Sequence, residues 1–117
     1  MCHVLVIEDE PFIAMQIESI LLEGGADTVD IVATEQDAIT SAVTHRPDFV
    51  ASDVRLLEGS GPAAVEVIRR MYPVPVTFIT AWPDACSHCR GYADILVKPI
   101  SAASLLASFK RSAPACA

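Results

Sequence analysis

Five side chains stand where they could hold a cation and accept a phosphoryl group: the carboxylates of Glu8, Asp9 and Asp53, the hydroxyl of Thr80 and the ammonium of Lys98. Each lies at or just after the end of a short apolar run. If those runs end at one edge of a sheet, three carboxylates converge there. Two like charges about 4 Å apart repel by roughly 4 kcal/mol even at an effective dielectric of 20. A cation must offset this. Mg²⁺, or Mn²⁺, held by carboxylates, a backbone carbonyl and water suits such hard oxygens, with Lys98 as the fixed positive charge opposite. A carboxylate beside a divalent ion and an ammonium, with a hydroxyl near, can also attack phosphorus while the cations neutralise the transferring oxygens. Asp53 is the candidate nucleophile.

A second constellation is Cys86-Ser87-His88-Cys89. Its spacing is that of a redox or metal-binding pair, but it lacks the Trp before the first Cys and the Gly-Pro between the two that a thioredoxin-like site carries. A structural zinc site needs four ligands, and Cys2, at the start of the first strand, belongs roughly 17 to 20 Å away. All four cysteines are read as free thiols. His3 is read as a strand-edge residue and His45 as a surface residue late in the second helix.

The elements that must position these groups follow from periodicity. Near-continuous apolar runs at 3–7, 29–33, 49–52, 74–79 and 95–97 read as strands buried on both faces. Between them, Pro11 opens a helix with Ile13, Ile17, Ile20 and Leu21 inward, stopped at Gly24-Gly25. Thr34 with Asp37 caps a second helix, with Ala38, Ile39, Ala42 and Val43 as its stripe before Pro47. Gly61-Pro62 opens a third, in which Val65, Ile68 and Met71 share a face. After Pro83 a weakly patterned segment reads as a short or irregular fourth, and Ser101 begins a fifth with Leu105, Leu106 and Phe109 inward. Five strand–helix alternations give an α/β, doubly wound parallel sheet, with ligands at the carboxyl ends of the strands. The domain is placed at 1–112, with 113–117 a flexible tail.

Of 117 residues, 52% are hydrophobic, and 15 acidic against 8 basic side chains give a net charge of -7. This suits one folded domain and opposes a counterion-displacing grip on nucleic acid. No run approaches the roughly 20 apolar residues of a membrane span, and Met1-Cys2-His3-Val4 lacks a signal peptide's basic start, so a cytoplasmic location is expected.

Val4-Leu5-Val6-Ile7-Glu8-Asp9-Glu10, Pro47-Asp48-Phe49-Val50-Ala51-Ser52-Asp53-Val54-Arg55-Leu56, Gly61, Phe78-Ile79-Thr80-Ala81 and Val97-Lys98-Pro99 together resemble the receiver domain of two-component response regulators. The resemblance implies the flavodoxin-like strand order 2-1-3-4-5 and a phosphoacceptor at Asp53, served by a sensor histidine kinase or a histidine phosphotransfer protein. It implies Mg²⁺ held by Asp9, Asp53 and the Arg55 carbonyl, with Glu8 acting through water. Thr80, Ala81 and Lys98 would bind the phosphoryl group and switch, and Lys98-Pro99 would be a cis peptide. Trp82 and Arg55 lie where the family tunes access of water to the acyl phosphate. The product would be a non-enzymatic, stand-alone signalling module, monomeric or a weak homodimer, acting through altered contacts with a downstream protein partner.

Departures from the pattern are Leu57, where many receivers have Pro, and Ile95, where an aromatic residue often switches. The opening Thr80-Ala81-Trp82-Pro83 is similar to receivers of alphaproteobacterial general-stress regulators. Other readings fit fewer residues. A phosphohydrolase with an aspartyl nucleophile wants an acid where Arg55 stands, and a flavodoxin-like cofactor site wants Gly, Ser or Thr where Glu8-Asp9-Glu10-Pro11 would repel a phosphate. A phosphate-independent or thiol-sensing interaction domain would rest on Cys86 and Cys89.

Overall fold

Strands that feed right-handed helical crossovers must lie parallel, and in the computed structural model, which describes residues 1–116, all five do. The chain runs β1 (His3–Ile7), α1 (Pro11–Glu23), β2 (Thr28–Val32), α2 (Glu35–Thr44), β3 (Phe49–Ser52), α3 (Gly61–Met71), β4 (Val76–Thr80), β5 (Asp94–Val97) and α4 (Ala102–Ser112). The sheet order is β2-β1-β3-β4-β5, as expected. Among the described residues there are four α-helices, and the expected fourth is as irregular as its sequence implies. The weakly patterned segment folds as two 3₁₀ turns, Pro83–Ala85 and Ser87–Gly91, and the last α-helix is therefore α4. Proline at the start and a poor apolar stripe leave that stretch too little to bury for a full helix.

Period-two alternation splits the interior into two layers. Val4, Val6, Phe49, Ala51 and Ile79 pack with Ile17 and Leu21 of α1 and Leu105 and Phe109 of α4. Leu5, Ile7, Val50 and Phe78 pack with Ala38 and Ala42 of α2 and Val65 and Ile68 of α3. The central strands β1, β3 and β4 are buried throughout, whereas the edge strands β2 and β5 are not, which corrects the expectation for those two. Two expected stripe residues also face outward: Val43 is 60% and Met71 39% exposed. Each lies near the end of its helix, past the reach of the sheet.

Each helix is punctuated by its own sequence. Glu10 accepts from the Phe12 amide, Thr34 from Asp37, Ser60 from Ala63 and Ser101 from Ser104, so every α-helix has a side-chain cap. Gly25, at φ +117°, ends α1 in a conformation that a Cβ would strain.

Asp94 on β5 binds α4: it accepts from Ser108 Oγ at 2.6 Å and pairs with Arg111, while Ser108 Oγ also lies 2.6 Å from Thr77 Oγ1 on β4. The Ser108 hydroxyl, with Arg111 adding to it against partial burial, holds the Asp94 carboxyl below its ordinary 3.8. A pKa lowered by folding contributes stability that is complete above the unfolded value and lost as pH falls through the folded one. Asp94→Asn is expected to show a stability deficit against wild type that is constant near neutral pH and narrows below 3.8. Urea unfolding across pH reads this out, and a deficit that widens in acid would contradict it.

The cysteines are not free. Cys2 pairs with Cys116 and Cys86 with Cys89, leaving no free thiol among the described residues, and the expectation of free cysteines is corrected. Composition cannot detect that the turn Pro114–Cys116 returns the chain to the start of β1, with the Cys2 and Cys116 Cα atoms 5.0 Å apart. Of the segment expected as a tail, Ala113 and Cys116 are buried, and Ala117 lies outside the described residues. No described helix is long and apolar enough to cross a membrane.

Candidate functional site

Parallel register brings the carboxylates together. Ile7 pairs with Ser52 across β1 and β3, so the next residues, Glu8 and Asp53, emerge side by side, and the Asp53 amide donates to the Ile7 carbonyl at 2.8 Å. Thr80 pairs with Val97 across β4 and β5, so Lys98 follows at the same edge, its amide bonded to the Thr80 carbonyl at 2.9 Å. Glu8, Asp9 and Asp53 then bring one oxygen each within 4.8 Å of one another.

Lys98 closes this cluster. Its Nζ lies 2.8 Å from Asp53 Oδ2 and 2.9 Å from Glu8 Oε1. Asp53 Oδ1 accepts from the Val54 amide at 2.7 Å, Glu8 Oε2 from Glu10 at 3.1 Å, and Asp9 Oδ2 from Leu57 at 2.6 Å. Burial raises the Glu8 pKa above 4.5 despite the opposing pull of Lys98. Burial would lower that of Lys98, but the hydrogen bond to Asp53 and the charge pairing with Glu8 outweigh it and hold the ammonium above 10.5. The net arrangement is three acidic groups against one cation.

The donor set fits a hard divalent ion. Glu8 Oε1 is buried and makes no hydrogen bond among the described residues, since Lys98 approaches it near enough for charge pairing but out of alignment. Carboxylate oxygens and a loop carbonyl are the ligands such an ion prefers. The Arg55 backbone is fixed for that role by a bridge to Ser60.

Other expected site residues take varied positions. Thr80 is fully buried, its Oγ1 accepting from the Trp82 amide at 2.9 Å. Ala81 is exposed. The Arg55 guanidinium stacks 4.8 Å from the centre of the Trp82 ring, which is 56% exposed. The Lys98-Pro99 peptide is cis. Ile95 is half-buried, and an aromatic residue stands nearby in Tyr92, whose ring meets Phe78 edge-on.

Three supports escaped notice in the sequence. Ser52 Oγ donates to the Asp53 carbonyl at 2.7 Å, the Leu57 amide holds Asp9, and Gly61 passes so close that a Cβ there would stand 1.7 Å from the Asp53 carbonyl oxygen. Ser52 is a polar residue within an apolar run and Gly61 part of the resemblance, but neither announced its contact with Asp53. Cys86 and His88, the latter 3.6 Å from Cys86 Sγ, line a cleft with Arg55, Leu56 and Ser60.

Known proteins resemble this chain in sequence and fold. The chain is 37% identical over 84 residues to the phyllosphere-induced regulator PhyR of Methylorubrum extorquens, a match covering 70% of this chain and 32% of that protein. It is 32% identical over 108 residues to the transcriptional regulatory protein PdtaR of Mycobacterium tuberculosis, covering 89% and 53%. The solution structure of the PhyR receiver domain of Erythrobacter litoralis aligns with a TM-score of 0.86 at 31% identity, covering 95% of this chain and 88% of that one. PhyR from Brucella abortus aligns at 0.85 and 32% identity over 95% and 47%. The chain thus spans about a third of the first curated relative and about half of the second. Residues 4–110, from the first strand through the last helix and including every strand end described above, match the response regulator receiver domain, and the chain belongs to that family.

Proposed function

We propose that this receiver domain, residues 1–112, accepts a phosphoryl group on Asp53 from a phosphohistidine of a sensor kinase or histidine phosphotransfer protein. The observation that carries this reading is the Asp53 carboxylate held between the Lys98 ammonium and the Val54 amide, beside Glu8 and Asp9. An Asp53 oxygen attacks phosphorus, the phosphorus–nitrogen bond breaks, and the departing imidazole takes up a proton. Lys98 balances the charge that spreads over the phosphoryl oxygens, Thr80 and the Ala81 amide supply donors, and the Val54 amide orients the nucleophile. Glu8, Asp9, Asp53 and the Arg55 carbonyl would hold Mg²⁺ or Mn²⁺, which when bound neutralises oxygens of the transferring group. The chain itself turns over no other substrate. It works in the cytoplasm with its phosphodonor and signals by a shift between two conformations with different affinities for a downstream protein.

Intact-mass analysis after incubation with acetyl phosphate or phosphoramidate tests this. One alkali-labile phosphate is expected with Mg²⁺, none with Mg²⁺ removed, and none in Asp53→Asn. An adduct that survives in Asp53→Asn, or its absence from folded wild type under every condition, would sink the reading.

Arg55 stacked on Trp82 gives the exposed end of β4 a cover that restricts water near the acyl phosphate. Trp82→Ala is expected to shorten the phosphorylated state several-fold, measured as phosphate released after the donor is removed. An unchanged lifetime would remove Trp82 from this role.

The Cys86–Cys89 bond favours a second reading, a thiol-responsive interaction domain. Reduction by a small dithiol, which becomes a disulfide as Cys86 and Cys89 become thiols, would then alter partner binding in Asp53→Asn as much as in wild type.

A further inference from the structure

The opposite edge of the sheet holds a cluster that phosphoryl chemistry does not use. His3 at the start of β1, Asp30 on β2 and His45 just after α2 bring one donor atom each within 4.8 Å of one another. The site lies about 17 Å from Glu8 along the strand, at roughly 3.3 Å per residue. It is a separate place on the molecule.

His3 is the informative member. It is 4% exposed, not the edge residue expected, because β1 lies inside the sheet and the His45 ring stacks over it, centroids 3.5 Å apart and planes 10° from parallel. Its Nδ1 lies 2.7 Å from Thr28 Oγ1. With Nδ1–H donating to that hydroxyl, Nε2 carries the lone pair. This buried nitrogen has no hydrogen-bond partner among the described residues, although Asp30 Oδ2 stands 3.2 Å away.

In that tautomer a lone pair facing a carboxylate oxygen is repulsive unless a proton on Nε2 or a metal ion lies between them, and the poor alignment of Asp30 for a hydrogen bond favours the metal. The Thr28 contact is the outer-shell bond that usually fixes the tautomer of a metal-bound histidine. Asp30 is likewise steadied, its Oδ2 accepting from Ser41 Oγ at 3.1 Å. His45, exposed beside them, would supply a second imidazole by turning out of the stack, because the in-plane lone pairs of parallel rings do not meet at one ion, and its exposure leaves room for that turn. Two imidazoles and one carboxylate form a borderline donor set that suits zinc and its neighbours rather than Mg²⁺.

We propose that His3, Asp30 and His45 form a binding site for a divalent transition-metal ion of the Zn²⁺ or Co²⁺ type, with Thr28 as the positioning residue for His3. The ion would tie β1, β2 and the end of α2 together, so occupancy would stabilise the fold by mass action.

The test is titration of the full chain, both disulfides intact, with Co²⁺ and then Zn²⁺ in excess Mg²⁺, which saturates the carboxylates at the other edge. Wild type should bind one equivalent, with Co²⁺ ligand-field absorption that Zn²⁺ abolishes and a rise in melting temperature. His45→Gln, a surface change that leaves the core untouched, should lose the absorption. Thr28→Val should weaken affinity about 10- to 100-fold, while Asp53→Asn should bind as wild type does. Failure of folded wild type to bind, or binding unchanged in His45→Gln, would overturn the proposal. So would binding lost in Asp53→Asn, which would assign the ion to the carboxylate cluster.

Discussion

Lys98→Met is expected to cost the fold about 3 kcal/mol at neutral pH, since breaking a buried ion pair strands its partners. Glu8 is 2% and Asp53 8% exposed, and Lys98 is the cation that contacts both. Replacing it with an apolar chain of similar length keeps the packing and removes the charge. The sign of the pH dependence follows from Glu8, whose pKa burial already raises above 4.5. A raised folded pKa means that stability is fully present below the unfolded value and lost as pH rises through the folded one. Without Lys98 the rise is larger, so the deficit against wild type should be smallest below pH 4.5 and widen toward neutrality. In wild type the pair persists to beyond pH 10.5, because the Lys98 pKa is itself raised. Added Mg²⁺ should narrow the neutral-pH deficit by supplying the missing positive charge. Chemical unfolding at acid and neutral pH, with and without Mg²⁺, measures all of this, and equal stabilities of the two proteins at pH 7 would refute it.

Gly61→Ala is the second large effect, and its origin is steric. A Cβ at this position would lie 1.7 Å from the Asp53 carbonyl oxygen and 2.4 Å from Ser52 Oγ. Backbone must move, because the obstructing atom is itself backbone. The displaced groups are those that aim Asp53: the Ser52 hydroxyl on its carbonyl and the Gly61 amide on the Val54 carbonyl at 3.0 Å. Overpacking of this kind costs about 1–3 kcal/mol. Misplacing a reacting group by about 1 Å can cost roughly 10²-fold in rate. Gly61→Ala should therefore melt lower and accept phosphate from acetyl phosphate far more slowly, even under conditions where it is fully folded. Gly91→Ala is the control, since a Cβ there meets nothing within 4 Å and should leave the rate unchanged. A Gly61→Ala protein as fast as wild type would show that the close approach does not position Asp53.

Much of this molecule was legible in one dimension. Parallel strands all end at the same edge, so residues that follow apolar runs must gather there, and Glu8, Asp9, Asp53 and Lys98 do. The caps Thr34 and Ser101 act within three residues of themselves, as does the stop at Gly24-Gly25, and local bonds of that kind are written in local sequence. The spacing also announced that Pro83 to Tyr92 would make a poor helix.

What tertiary structure alone decided depends on approach between distant segments. Cys2 and Cys116 are 114 residues apart in sequence and no pattern links them, so their union waits on where α4 sets down the chain. His3 and His45 stack only because the chain after α2 returns over the start of β1. Gly61 meets Asp53 through a backbone contact that no side-chain pattern encodes. Burial of the edge strands was misjudged because an apolar run shows what a strand can bury, whereas its place in the sheet determines what it does bury. Periodicity and caps are short-range and set the elements and the edge they share; pairing, stacking and close contact are long-range and exist only once those elements have packed.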